Sequence, residues 1–519
     1  MIGLADSQIT GLETKRLPFR LQVAPLVANF LAISAGIAAT IFVCGVLAHQ
    51  GVTPDFPWLK AAGDWIIRHG QLPGTDVFSW TADQRSWVLY QWGFEVLTAA
   101  TTAIVGHAGV VILCSWLTLA CYLLIPLWLQ RNSIPLLLVA GVAAVALGTV
   151  TFNLSLRPMI ATTAGLLAQY VLIALFREGR LSLRASAGWI GLLYAAWANL
   201  HTGFVLGFAS LALVLIGDTA ERQWPSTRPV GDGSALKASA LFTLILAAFL
   251  GSLLNPYGIG VHRYILALSL NSYFNHNIEE LASADFSFFQ FKLMLAMVIT
   301  LIAGLMRAPK ALRPADLLHL LVFTVATILA ARFVVWTMLY YVLLLPTVLA
   351  HAWPSSTEPR FRRGETSLLI VLSLTSLMAA PVLAASGLAD TIGENCRLLA
   401  STLDAYLADR RSTDRLLTDP MVGSCLIGAA PGVPVFIDTR FDFYGAEFVQ
   451  RTMRTLLVQS GWRALIDGLH VDVAVLERRW PLAQAITQDG RFKILHEDED
   501  AVLVRRVPDT AVSPASAAR

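Results

Sequence analysis

Long apolar runs separated by short polar turns fill the first three quarters of the chain, and the pattern stops near residue 388. Apolar runs lie at about 24–48, 108–129, 134–152, 158–176, 186–200, 203–219, 238–254, 289–306, 315–331, 333–350 and 367–386. Several approach the roughly 20 residues a helix needs to cross a bilayer. Beyond 388 charge is frequent and apolar runs shorten to strand length. The spacing predicts strands at 433–438, 472–476, 492–495 and 501–504, and helices at 447–459 and 462–469. Alternating elements of that length predict a small α/β domain over 388–507, with a disordered tail at 508–519.

One polar stretch, residues 51–95, holds more acids, tryptophans and turn residues than any later loop. Within it Trp58, Leu59, Ala62, Trp65 and Ile66 share one face of a helix. Lys60, Asp64 and Arg68 step by four along the other face, in the order that allows pairing. Tryptophans on the apolar side of an amphipathic helix predict a seat in the membrane–water interface. Asp55, just before Pro57, is then held near the membrane surface.

Composition agrees with a membrane protein. Of 519 residues, 56% are hydrophobic and 14% charged, and the mean hydropathy is +0.62; soluble domains carry roughly 25% charged residues. The net charge of +3, with no basic stripe, does not point to nucleic acid. No Gly-rich phosphate loop follows a strand, so a nucleotide-sugar site is not indicated.

Lys15, Arg16 and Arg20 precede the first apolar run and predict a cytoplasmic tail over 1–22, followed by an uncleaved anchor. Residues 92–106 are apolar as well. If they span, Arg177, Arg180 and Arg184 fall outside; if they lie in the interface, the basic residues of alternate loops all face the cytoplasm. The second choice predicts about eleven spans within 23–387 and places loops 49–107 and 255–288 and the α/β domain outside. Cys44, Cys114 and Cys121 lie in apolar runs, where packing is the expected role. Cys396 and Cys425 fall in the outer domain; that compartment permits a disulfide, whose geometry the spacing leaves open.

The order of motifs resembles the GT-C superfamily of integral-membrane glycosyltransferases, and most of all a bacterial group within it. The matching residues are Asp55, Trp58, Gly63-Asp64-Trp65-Ile66, Gly70-Gln71-Leu72-Pro73, Asp76-Val77-Phe78-Ser79-Trp80-Thr81 and Trp87. Later come Arg157-Pro158, Trp197 to His201, Asn255-Pro256-Tyr257-Gly258, Ile278-Glu279, Asp438-Thr439-Arg440 and Tyr444-Gly445. The resemblance implies a polytopic α-helical membrane fold and an inverting transferase. Its donor is a sugar on a polyprenyl-phosphate carrier; its acceptor is a lipid, glycan or protein in the periplasm of a bacterial inner membrane.

That reaction needs a base for the acceptor and charge stabilisation for the departing phosphate. By the resemblance Asp55 is the base, or the ligand of a divalent cation such as Mg or Mn if one is used, and Glu279 is the second acid. Glu280, Arg157, His201, Arg263 and Arg332 are expected on the same face as substrate contacts, with Arg332 foremost because an arginine at an apolar helix end needs a partner.

Blander roles stand beside these. Asp55 suits a helix cap, Asp76 a turn, His201 the satisfaction of backbone at a helix break, and Asp438 with Arg440 a structural pair. Leu59, Tyr90-Gln91 and Leu281 depart from residues common in the group, which keeps a non-catalytic envelope scaffold open as an alternative function. A transporter of lipid-linked substrates is a third, though no internal repeat is visible.

Overall fold

The computed structural model describes residues 19–50, 55–82, 84–131, 133–224, 235–354, 362–385 and 394–507. The tail expected at 508–519 and most of that expected at 1–22 lie outside them. The helices of the apolar part are α1 (Phe19–Gln50), α2 (Phe56–His69), α3 (Trp92–Leu119), α4 (Ile125–Gln130), α5 (Leu136–Val150), α6 (Met159–Arg177), α7 (Leu183–Trp197) and α8 (Phe204–Gln223). They continue with α9 (Ala238–Ser252), α10 (Gly260–Ser269), α11 (Ser272–Asn277), α12 (Phe289–Arg307), α13 (Pro314–Leu329), α14 (Val334–Ala352) and α15 (Arg362–Ala385).

Five stretches are long and apolar enough to cross a membrane: Trp92–Gln130, Met159–Arg177, Phe204–Gln223, Phe289–Arg307 and Ala331–Ala352. Shorter apolar helices include Leu136–Val150, Ala238–Ser252 and Pro314–Leu329. Large apolar side chains stand exposed along them, among them Phe242, Leu246 and Leu250 on α9 and Ile299, Ile302 and Met306 on α12. Water would not tolerate so much bare apolar surface, whereas lipid does. The chain is a polytopic helical membrane protein.

The stretch at 92–106 ends in a break. Val105 and Gly106 leave helical geometry inside α3, with Gly106 at φ 70°, a left-handed conformation that glycine adopts freely. The helix before the break is therefore a separate segment from the helix after it.

The remainder is the α/β part: α16 (Glu394–Leu398), α17 (Ala400–Asp409), β1 (Leu416–Thr418), α18 (Pro420–Ala429), α19 (Phe441–Tyr444), α20 (Ala446–Leu456), α21 (Trp462–Gly468), β2 (Val473–Glu477), α22 (Pro481–Thr487), β3 (Phe492–Glu497) and β4 (Ala501–Arg506). The strands form one sheet in the order β1-β2-β4-β3, with β1 and β2 parallel and the other pairs antiparallel. Cys396 and Cys425 are joined by a disulfide, Cα to Cα 5.3 Å.

Two expectations need correcting. The apolar stripe of α2 does not face the bilayer. Trp58, Leu59, Ala62 and Ile66 are buried in a second core that they share with Leu416, Val435, Phe436 and Val475 of the α/β part. A stripe shows that a helix face must be covered, and here protein covers it. On its other side α2 lies so close to α3 that a Cβ on Gly63 would stand 2.1 Å from the Glu95 carbonyl oxygen, which explains the glycine. Residues 433–438, expected as a strand, do not enter the sheet. Val435 instead exchanges backbone hydrogen bonds with the first loop, donating to Phe78 O at 2.9 Å and accepting from Trp80 N at 3.1 Å. The polar stretch 55–91 and the α/β part are thus one folded unit.

Candidate active site

Arg440 locks that unit together. Its side chain is buried, donates to Asp438 Oδ1 and Oδ2 at 2.9 and 2.6 Å, and reaches across to Asp76 Oδ1 at 2.7 Å. The rings of Trp87, Phe443 and Phe78 surround it at 4.5, 4.9 and 5.2 Å from their centroids. Asp76 also makes the expected turn, accepting from Phe78 N and Ser79 N. Asp76, Asp438 and Arg440 are structural, and the tryptophans at 58 and 87 serve this clamp rather than the interface.

Beside the clamp the chain holds Thr439 over Asp55. The Thr439 hydroxyl donates to Asp55 Oδ1 at 2.6 Å, and the Trp58 indole donates to Thr439 Oγ1 at 3.1 Å. Asp55 does not cap α2: its side chain accepts no cap hydrogen bond. Its other oxygen, Oδ2, stands 3.1 Å from Arg157 Nε. Among the described residues that nitrogen makes no aligned hydrogen bond, so the contact is ionic. Arg157 Nη1 is paired with Glu280 Oε1 on the far side. Burial pulls the Arg157 pKa down, and the Asp55 and Glu280 carboxylates more than offset it, leaving it above its ordinary value. One guanidinium from the entry to α6 therefore bridges acids from the first and the long loop.

The other sequence candidates are placed unequally. Glu279 forms part of the 3-10 turn Glu279–Leu281, but its side chain lies outside the described residues. Arg332 sits in the 3-10 turn Ala331–Phe333, tied to the long loop by Ala331 N donating to Ala282 O at 2.9 Å. Its Nε is buried with no acceptor among the described residues. His201, in the turn between α7 and α8, is buried, and its Nδ1 lies 2.6 Å from Thr162 Oγ1 and 3.2 Å from Gly203 N. Trp197 Nε1 donates to Thr162 Oγ1 at 3.1 Å, so the threonine proton is free to point at the imidazole. Burial first, and the Arg332 guanidinium second, push the His201 pKa down to about 3. Gly203 has no room for a side chain, because a Cβ would meet Thr162 Oγ1 at 2.0 Å. Arg263 is exposed on α10 and, among the described residues, makes no ion pair; it does not join the cluster.

Sequence reasoning missed two features. Tyr90 and Tyr264 both donate to Oδ2 of the half-buried Asp442, at 3.0 and 2.9 Å, fixing the end of the first loop to α10. Arg85 donates to the Tyr444 carbonyl. Several matched motif residues also prove to be struts. Asn199 Oδ1 accepts from Trp92 Nε1 at 2.7 Å, and the Tyr257 hydroxyl accepts from Leu89 N at 2.9 Å.

The Arg157 guanidinium fills the space between the two acids, and among the described residues no three His, Cys, Asp or Glu side chains converge. What the cluster offers is a hydrogen-bonded carboxylate beside half-buried guanidinium groups at one end of apolar helices.

Among solved structures, the chain is similar to the following two. The crystal structure of ArnT from Cupriavidus metallidurans bound to undecaprenyl phosphate is 11% identical with a TM-score of 0.44, over 96% of this chain and all of that one. The single-particle cryo-EM structure of the arabinofuranosyltransferase AftD from Mycobacteria is 12% identical with a TM-score of 0.46, over 93% of this chain and 40% of that one. No protein-family model and no curated protein matches the chain.

Proposed function

We propose that the chain is a membrane glycosyltransferase. It moves a sugar from a polyprenyl-phosphate carrier to a lipid, glycan or protein acceptor on the periplasmic face of a bacterial inner membrane. The observation that carries this reading is Arg157 held between Asp55 and Glu280, beneath Thr439 of the α/β part.

In the reaction the acceptor hydroxyl gives its proton to the Asp55 carboxylate as its oxygen bonds to the sugar C1. The bond from C1 to the phosphate oxygen breaks, and its electron pair leaves on the phosphate. A single displacement of this kind inverts C1. Arg332, whose Nε has no acceptor among the described residues, and Arg157 offset the charge growing on the phosphate. Buried beside Arg332, His201 stays neutral, so Thr162 and Gly203 can donate to Nδ1.

An apolar crevice of about 290 Å³ between α3, α6 and α7 suits the isoprenoid tail. Phe94, Leu113, Ala164 and Leu200 line it, and Trp197 ends it beside the Thr162–His201 pair. The topology that goes with the proposal has about eleven spans, with the N-terminus in the cytoplasm and residues 394–507 in the periplasm. It puts the pairs Arg177–Asp218 and Arg313–Glu221 at the opposite, cytoplasmic helix ends.

The test is transfer from a polyprenyl-phosphate sugar by protein in lipid nanodiscs. Asp55→Asn, which keeps the Oδ1 acceptor for Thr439, is expected to lose roughly 10²- to 10⁴-fold in rate at unchanged protein level. Wild-type protein that transfers no sugar overturns the proposal, and undiminished transfer by Asp55→Asn removes Asp55 from the role of base. The scaffold reading is favoured by one observation, that Asp55 and Glu280 already neutralise Arg157. Wild-type protein without transfer activity, in cells indifferent to Asp55→Asn, would establish it.

A further inference from the structure

We propose that the α/β part carries a subsite for the acceptor, a neutral sugar ring, in a pocket on the far side of Thr439; the assignment of that sugar as acceptor rests on the glycosyltransferase reading. The pocket holds about 430 Å³, within the range of small-molecule sites and enough for one or two sugar rings. It is walled by Met421 at the start of α18, Phe441, Met453 on α20, Leu457, Trp480 and Thr439.

Three observations select the ligand. The walls pair two aromatic rings with thioether and aliphatic side chains, the surface on which the C–H face of a sugar packs. Thr439 and Arg479 put polar groups among those apolar side chains, a mix that suits a ligand with hydroxyls better than a hydrocarbon tail. The cation at the rim is already engaged. Arg479 pairs with Glu477 at 2.7 Å and lies over the Trp480 ring at 5.6 Å, which favours a neutral ligand over a phosphate.

Location gives the pocket its meaning. Thr439 lines it and donates to Asp55 Oδ1 at 2.6 Å, so a ring bound there lies one side chain from the proposed base. A glycan acceptor anchored by one ring would present the hydroxyl of its neighbour to Asp55.

Binding is read by saturation-transfer NMR on the full chain in nanodiscs prepared without glycoside detergent. The probes are the methyl glycosides of glucose, galactose, mannose, arabinose and N-acetylglucosamine. At least one is expected to receive saturation. Trp480→Ala, which removes a wall, and Met453→Trp, which fills the pocket, should each weaken it about fivefold or more. No saturation of any glycoside, or binding untouched by both pocket substitutions in folded protein, overturns the proposal; so does displacement of the probe signal by decanoate alone, which marks an apolar-chain site. Because binding is read without turnover, an inactive chain that still binds a glycoside through Trp480 refutes the transferase and not the sugar pocket.

Discussion

Thr439 Oγ1 and Asp55 Oδ1 stand 2.6 Å apart although 384 positions separate them in the chain. The hydroxyl is held in turn: Trp58 Nε1 donates to it at 3.1 Å, and Ser424 Oγ lies 3.1 Å away. The α/β part thereby sets the angle at which Asp55 presents its carboxylate.

Removing that hydroxyl without changing shape tests the role. Thr439→Val is expected to lower kcat roughly 10- to 100-fold, the cost of a misplaced reacting group, with KM for the lipid-linked donor unchanged. Thr439→Ser should recover most of the rate. A KM rise at constant kcat would instead put Thr439 in donor binding.

Arg440 is the stability counterpart. Its guanidinium neutralises two carboxylates, Asp76 and Asp438, whose side chains are fully buried. Arg440→Met fills the volume but leaves both acids without a counter-charge, and breaking a buried pair this way costs about 3–5 kcal/mol. Arg440→Lys should rescue little, because an ammonium cannot span both acids as the planar fork does. Thermal melting in nanodiscs, with limited proteolysis between residues 70 and 91, reports both outcomes. A melting point within a degree of wild type for Arg440→Met would show the clamp to be dispensable.

The disulfide makes a third prediction. Cys396 and Cys425 close a loop of 29 positions, and loop-closure entropy for that length is worth roughly 3–4 kcal/mol. Cys425 sits in α18, which packs on α2. Cys396→Ser should therefore speed proteolysis both of the α/β part and of the first loop. Acceleration confined to the residues around 396 would mean that α18 holds its place unaided.

Which parts were legible follows from what a pattern encodes. Apolar runs mark the helices directly, because length and hydropathy alone decide whether a segment suits lipid. The helix at 56–69 was legible from its stripe, whereas what covers Trp58 and Leu59 was not; a stripe carries no information about its partner. Val435 has strand character, yet its partner is Phe78–Trp80, hundreds of positions upstream, and the three-residue β1 was too short to signal itself. Arg157, His201 and Arg332 were expected near one another because topology puts their turns at one end. That Arg157 would bridge Asp55 and Glu280 depended on side-chain directions no spacing records. Tyr90, which departs from the group's usual residues, is committed to Asp442 by the same kind of long-range contact.

His201 supplies a pH signature. Its pKa in the fold is about 3, pushed down by burial and then by Arg332, against an ordinary value of about 6.5. Between those values the unfolded chain binds a proton at this position and the folded chain does not. Stability therefore rises with pH through that window and falls as pH drops below about 6.5. At about 1.4 kcal/mol per pH unit, acidification from 6.5 to 4 costs roughly 3 kcal/mol at this site alone. The cause is local: a protonated Nδ1 could no longer accept from Thr162 and Gly203, and Arg332 would face a second positive charge. His201→Gln keeps an acceptor but cannot titrate. Its melting temperature should be lower than that of wild type at pH 7.5, and the gap should close or reverse by pH 4. Parallel curves across that range would mean that water reaches the imidazole and that Arg332 is not its neighbour in solution.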